Sequence, residues 1–141
     1  MPDLQAVVYV STATRLMGAT QLESLLVESR DLNLESGVTG VLLYSNGVFM
    51  QHFEGAEAAM RTTYERIRGS RRHKDIVELL NEPVARRSFP DWQMGFAQPT
   101  RSELLAMSTA CWRRMASETQ DSPATSPGLM LLQSFWKSAR R

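Results

Sequence analysis

Val38-Thr39-Gly40-Val41-Leu42-Leu43-Tyr44-Ser45 and Val48-Phe49-Met50-Gln51-His52-Phe53 flank the dipeptide Asn46-Gly47, and reading this stretch decides the fold. Both arms are rich in β-branched and aromatic residues. Asn-Gly readily takes the two positive φ angles of a tight hairpin turn. A two-residue loop pairs Ser45 with Val48, and counting outward sets Tyr44 against Phe49, Leu42 against Gln51 and Gly40 against Phe53. Gln51 then shares an apolar face with Phe49 and Phe53, and its two donors and two acceptors need partners there.

Upstream, Leu4 to Val10 reads as a strand buried on both faces, with Tyr9 near its end. From Thr20 the pattern becomes helical: Leu22, Leu26, Ser29 and Asn33 recur on one face, and Thr20 with Glu23 predicts a capping box. Downstream, Ala56, Met60, Thr63 and Ile67 predict an amphipathic helix over Glu57 to Arg68, ended by Gly69. Ile76 to Leu80, continuing towards Arg87, reads as a fourth strand in which Pro83 fits only at an edge, a bulge or an end. After the turn Ser88 to Asp91, alternation in Trp92-Gln93-Met94-Gly95-Phe96 predicts a short fifth strand with Trp92, Met94 and Phe96 on one face. The order strand, helix, hairpin, helix, strand, strand defines an α+β protein with a ferredoxin-like βαββαββ core. A mixed five-stranded sheet carrying two helices on one face is expected.

This core accounts for residues 1–98, and residues 99–141 form a helical extension. Thr100 and Glu103 predict a capping box opening a helix with Leu104, Ser108, Cys111, Trp112 and Met115 in one stripe, where Cys111 serves packing. A Ser-, Thr- and Pro-rich linker from Thr119 to Pro127 leads to a last helix around Leu129 to Ser138, with Leu132, Phe135 and Trp136 on one side.

The 141 residues are 43% hydrophobic and 22% charged, enough for one core without disulfide or metal staples. Sixteen basic against fifteen acidic residues leave a net charge of +1, so neither nucleic acid nor a membrane is an expected partner. A lone Cys111 excludes an intrachain disulfide and any multi-cysteine metal site. The start Met-Pro-Asp-Leu lacks a secretory pattern, so a cytoplasmic location is expected. Neither His52 nor His73 has a neighbour at metal-ligand spacing, and nucleophile elbow, phosphate loop, dinucleotide fingerprint and zinc signature are all missing. Enzyme activity is not expected.

Three polar residues interrupt the apolar pattern. Asn33 fits either local backbone bonds at a helix end or a heteroaromatic ligand edge, Gln51 either a structural glutamine or a ligand contact, and Tyr9 either a core tyrosine or a partner to both. Together they outline a polar-lined slot between the two helices, suited to a flat molecule with donors and acceptors. The basic run Arg61 to Lys74 is either a solvated surface or a source of one or two arginines for a ligand carbonyl or phosphate.

Six pieces in unbroken order carry a resemblance to a known family: Val8-Tyr9-Val10-Ser11, Ser29 to Asn33, Gly37 to Tyr44, Asn46 to Gly55, Arg71-Arg72-His73, and Arg87 to Met94. Over residues 4 to 97 the chain resembles the BLUF domains, blue-light sensors that use a noncovalent flavin. The resemblance implies FAD as cofactor, with FMN or riboflavin as alternatives. It implies Tyr9 as the light-driven electron and proton donor and Gln51 as the amide that rearranges beside the flavin. Ser29, Asn33 and Arg72 match flavin-binding positions, and Trp92 and Met94 match the fifth-strand residues that relay the signal. Leu32 and Ser70 depart from the family pattern, Leu32 standing where several relatives carry a polar or basic residue and Ser70 where an acidic one is common. A stand-alone sensor acting on an unknown signalling protein, and self-associating, is the resulting expectation. A non-photochemical ferredoxin-like binding or adaptor module is the alternative.

Overall fold

The computed structural model describes residues 3–113 and 126–139. Its order is β1 (Leu4–Ala13), α1 (Ala19–Ser36), β2 (Thr39–Ser45), β3 (Val48–Ala56), α2 (Glu57–Arg68), β4 (His73–Val84), β5 (Gly95–Ala97), α3 (Arg101–Thr109) and α4 (Pro127–Ala139). The strands lie in the order β4-β1-β3-β2-β5, antiparallel except for the parallel β2–β5 pair. This is the ferredoxin-like arrangement with one strand added.

The hairpin adopts the expected register throughout, Ser45 with Val48 and Leu42 with Gln51. Asn46 and Gly47 have φ of 47° and 83°, the double positive of the mirror-image turn that matches strand twist. Gly40 serves another need: an added Cβ would lie 2.0 Å from the His52 carbonyl oxygen, so only glycine allows β2 and β3 to approach there. Pro83 lies on the edge strand β4, opposite Gln5, where a missing N–H is tolerated.

Strand alternation sorts the core into two layers. Tyr9, Leu42, Phe49 and Phe53 face α1 and α2, packing with Leu22, Leu26, Met60 and Tyr64. Val8, Val41, Leu43 and Met50 face the opposite way, against Leu104 and Met107 of α3 and Leu132 and Trp136 of α4. The last helices thus cover the sheet's far face.

Three local expectations are corrected. Helix α1 starts one residue before Thr20: its cap is Gly18, whose N–H donates to the Gln21 side chain at 3.0 Å, and Glu23 takes no part. Gly69 ends α2 as expected, in a right-handed conformation with φ of −82°. The stripe on α3 stops early, because the helix ends at Thr109; Cys111 is exposed, while Trp112 folds back and donates from Nε1 to the Met107 carbonyl at 3.0 Å. Finally, β5 contains only Gly95–Ala97, and residues 92–94 are irregular. Met94 and Phe96 do share the α1 side, but Trp92 packs on the far side, 5.5 Å from the Trp136 ring. Strand alternation does not reach Trp92 because the backbone there is held by long-range bonds: Gly40 N–H to the Trp92 carbonyl at 2.8 Å and Arg30 Nε to the Met94 carbonyl at 2.9 Å.

The Thr100 and Glu103 capping box is formed reciprocally, and Leu132 and Trp136 are buried on α4 with Phe135 partly so. Met115 and most of the Thr119 to Pro127 segment lie outside the described residues. No helix among the described residues is long and apolar enough to cross a membrane.

Candidate functional site

A cleft opens between α1 and α2 over the sheet, lined at its inner end by Tyr9, Asn33, Leu42, Phe49 and Gln51 and nearer solvent by Glu28, Arg66, Ser70 and Arg72. Tyr9 and Gln51 are direct cross-strand partners of β1 and β3, so sheet register alone brings them together. The Tyr9 hydroxyl donates to Gln51 Oε1 at 2.5 Å, and Gln51 Nε2 donates to the Met94 sulfur at 3.5 Å. The amide keeps one N–H and one lone pair free of these bonds.

Tyr9 is 3% exposed, and burial, helped by the neighbouring Tyr64, raises its pKa well above the usual phenol value. Its hydroxyl therefore stays protonated at any physiological pH. A register shift in the β1–β4 pairing falls between Val8 and Tyr9, a local irregularity of the kind that re-aims a side chain at a site.

Asn33 is 2% exposed, and its side chain turns away from the helix end. Its Nδ2 donates to the Gln93 carbonyl at 2.5 Å, and only its backbone carbonyl meets Gly37 and Val38. Oδ1 is buried without a partner, a deficit of about 1–3 kcal/mol unless something in the cleft donates to it. Ser29 lines the cleft one turn earlier. Arg72 reaches across its outer part to Glu28 of α1 at 3.0 Å, with both side chains about half exposed.

Sequence reading overlooked a supporting pair. His73 Nε2 meets the Ile67 carbonyl and Nδ1 meets Ser11 Oγ, each at 2.7 Å. A carbonyl only accepts, so Nε2 carries hydrogen, and Nδ1 in its neutral form takes the Ser11 hydroxyl proton. The imidazole, 5.8 Å from the Tyr9 ring, thereby ties the end of α2 to β1 beside the site. Alternation offered a hint, since Ser11 follows Tyr9 by two residues and so shares its face.

The donor set fits a flavin: a flat heteroaromatic ring has apolar faces for Leu25, Leu42 and Phe49 and an edge of donors and acceptors for Asn33 Oδ1 and the spare capacity of Gln51. Fold and cleft together define an α+β domain with a slot suited to a flat ligand on one sheet face and helical cover on the other. The model of the BLUF family, described as sensors of blue light using FAD, matches residues 4–95, and the chain belongs to that family. Photoactivated adenylate cyclase subunit beta of Euglena longa is 36% identical over 92 residues, 64% of this chain but 11% of the relative. The chain thus spans about a tenth of the length of the curated relatives it matches. Among solved structures, the dark state of the BLUF protein BlrB superposes with a TM-score of 0.66 at 32% identity, covering 77% of this chain and 80% of that one. A bacterial light-regulated adenylyl cyclase also gives 0.66, at 27% identity, covering 97% of this chain and 35% of the other. This chain is accordingly a blue-light sensor domain of the flavin-binding type.

Proposed function

We propose that Asn33, Gln51 and Arg72, with Ser29 beside them, hold the flavin in the α1–α2 cleft, and that Tyr9 and Gln51 read its excitation. The carrying observation is the buried Tyr9–Gln51 hydrogen bond at the inner end of a cleft that leaves Asn33 Oδ1 without a donor. Bound there, a flavin supplies blue-light absorption and an excited state that takes an electron from a nearby phenol.

Losing an electron makes the Tyr9 phenol strongly acidic, and its hydrogen bond leads the proton towards Gln51 Oε1. When the electron returns, so does the proton, and the amide is free to settle in a second arrangement. Gln51 is suited to this because its donor end meets only a weak acceptor, the Met94 thioether, which resists reorientation little. With the amide turned over, oxygen faces a sulfur that has no proton to give. Met94 then loses its bond, and the 93–94 segment gripped by Asn33 and Arg30 feels the change. Two arrangements of one amide, biased by light, make the required bistable element.

Trp92 occupies the same segment but packs against Trp136, so we infer that the signal crosses the sheet between Met94 and Trp92 and leaves through α3 and α4. On this reading residues 1–98 sense and residues 99–141 transmit to a partner protein, the chain itself performing no catalysis. Relatives named as cyclases fit a module whose effectors differ.

The test is spectroscopic. Purified protein loaded with flavin should shift its absorption bands slightly to the red under blue light and revert in darkness. Tyr9→Phe and Gln51→Leu should retain flavin and lose the normal shift. An unchanged shift in either variant would remove that residue from the mechanism.

A further inference from the structure

A second phenol stands beside the Tyr9–Gln51 pair. Tyr9 has two cross-strand neighbours, Gln51 on β3 and, on its other side, Glu78 on β4. Tyr64 of α2 connects Tyr9 to Glu78. Its ring stacks on the Tyr9 ring, with centroids 6.3 Å apart and planes 23° from parallel, and its hydroxyl donates to Glu78 Oε2 at 2.8 Å. The helix thus lays a phenol against Tyr9, and the sheet supplies that phenol with a carboxylate.

Three rings meet Tyr9, and Tyr64 alone among them gives up an electron as readily as Tyr9 does. Phe53, at 6.2 Å, is a plain hydrocarbon ring, and the His73 imidazole, at 5.8 Å, is harder to oxidise than a phenol. The indoles of Trp92, Trp112 and Trp136 pack on the opposite face of the sheet. Tyr64 is buried, and burial raises its pKa, so the phenol holds its proton at rest and releases an electron only as that proton leaves. The two phenols have unequal acceptors: Tyr9 donates to a neutral amide, Tyr64 to a carboxylate, which is the far stronger base. Arg68 opposes oxidation, since its guanidinium lies 4.1 Å from the Tyr64 ring centroid and 3.2 Å from Glu78. Its side chain is 57% exposed, so water screens that charge, whereas the Tyr64–Glu78 bond is direct.

Resting on the reading of Tyr9 as donor to the excited flavin, we propose that Tyr64 is a second electron donor in series with Tyr9, and that Glu78 takes its proton. Tyr9 first gives one electron to the flavin and moves its proton towards Gln51. Tyr64 then gives one electron to the oxidised Tyr9 ring; its O–H bond breaks and an O–H bond forms on Glu78 Oε2. Tyr9, with its electron restored, takes its proton back. One electron remains on the flavin, balanced by an oxidised, deprotonated Tyr64 beside a protonated Glu78. The cycle closes when that electron returns to Tyr64 and Glu78 gives the proton back. Return now has to cross two rings instead of one, so the separated charges last longer than Tyr9 alone would allow.

Time-resolved electron paramagnetic resonance on flavin-loaded protein under blue-light pulses reads the oxidised tyrosines directly, and the chain has three to distinguish, Tyr9, Tyr44 and Tyr64. Tyr64→Phe should shorten the lifetime of the tyrosyl signal about tenfold while the red shift persists, equivalent to about 1.4 kcal/mol in the barrier to return. Glu78→Gln keeps a hydrogen-bond acceptor but removes the base, and should shorten the lifetime likewise. Tyr44→Phe should leave the signal as it is, since that ring meets Phe49 and not Tyr9. A lifetime that Tyr64→Phe or Glu78→Gln leaves unchanged, or that Tyr44→Phe shortens equally, would overturn the relay while the Tyr9 reading stands. Tyr9→Phe should remove the Tyr64 signal together with the red shift. A Tyr64 signal surviving there would make Tyr64 a direct donor and overturn the series. A red shift surviving in Tyr9→Phe would instead overturn the Tyr9 reading, and the relay with it.

Discussion

Mild acid should destabilise this domain through His52, a residue outside the cleft. It points to the α3–α4 side of β3, is 2% exposed, lies 5.1 Å from the Phe89 ring and leaves Nδ1 without a partner. Burial lowers its pKa from 6.5 to about 4, against a smaller opposing backbone hydrogen bond. A depressed histidine is neutral in the fold, so its contribution is whole above the unfolded value of 6.5 and is lost as pH falls towards 4. At pH 5 most unfolded molecules carry the proton and few folded ones do. The difference amounts to about 2 kcal/mol, rising to about 3 kcal/mol below pH 4, from about 1.4 kcal/mol per pH unit. Glu54, on the same face, has its carboxyl pKa raised by burial and so works in the opposite direction. Comparing wild type with His52→Leu cancels that term, since Glu54 is present in both. Urea unfolding followed by tryptophan fluorescence at pH 7, 6 and 5 should show wild type losing about 2 kcal/mol more than His52→Leu over that range. Parallel pH profiles would refute the assignment.

Further outcomes follow from the same contacts. Gly95→Ala would place a Cβ 2.6 Å from the Trp136 ring, so α4 should be pushed from the sheet, with a cost of about 1–3 kcal/mol and faster amide exchange in α4; unchanged exchange would mean the ring moves aside freely. Glu54 Oε2 accepts from the Phe89 N–H at 2.7 Å, and a raised carboxyl pKa favours the fold at low pH and less so as pH climbs through it. Glu54→Gln keeps the acceptor and removes the charge, so its stability relative to wild type should improve from pH 4 to pH 8; a constant difference in urea midpoints would contradict this. Truncation after residue 98 should leave the flavin spectral shift and remove control of the partner, and retained control in pull-down under light and dark would relocate the output surface. Met94→Ala should leave flavin bound but change the dark recovery time of the red shift, and an unaltered recovery would detach Met94 from Gln51 switching.

The hairpin register, the two cleft helices, the Thr100 cap and the buried face of α4 were legible because each depends on near neighbours: a turn dipeptide, a period of two or 3.6, a side chain three residues away. Gln51 could be placed on an apolar hairpin face and Tyr9 in a buried strand for the same reason, and family resemblance then attached flavin to them; their pairing came from the β1–β3 register. The Asn33 side chain was ambiguous because its partner, the Gln93 carbonyl, lies 60 residues on. The Ser11–His73 bond joins residues 62 apart.

By itself, the sequence determined the α+β order, the pairing that sets Gln51 beside Leu42, and the slot between the helices. Tertiary structure decided which way residues 92–94 turn, with Met94 against Gln51 and Trp92 against Trp136. Periodicity speaks for a residue only where a regular ladder fixes its backbone. Past the ladder's end, bonds from Arg30, Asn33 and Gly40 hold the chain instead, and those partners are distant in sequence and near only once the sheet has formed.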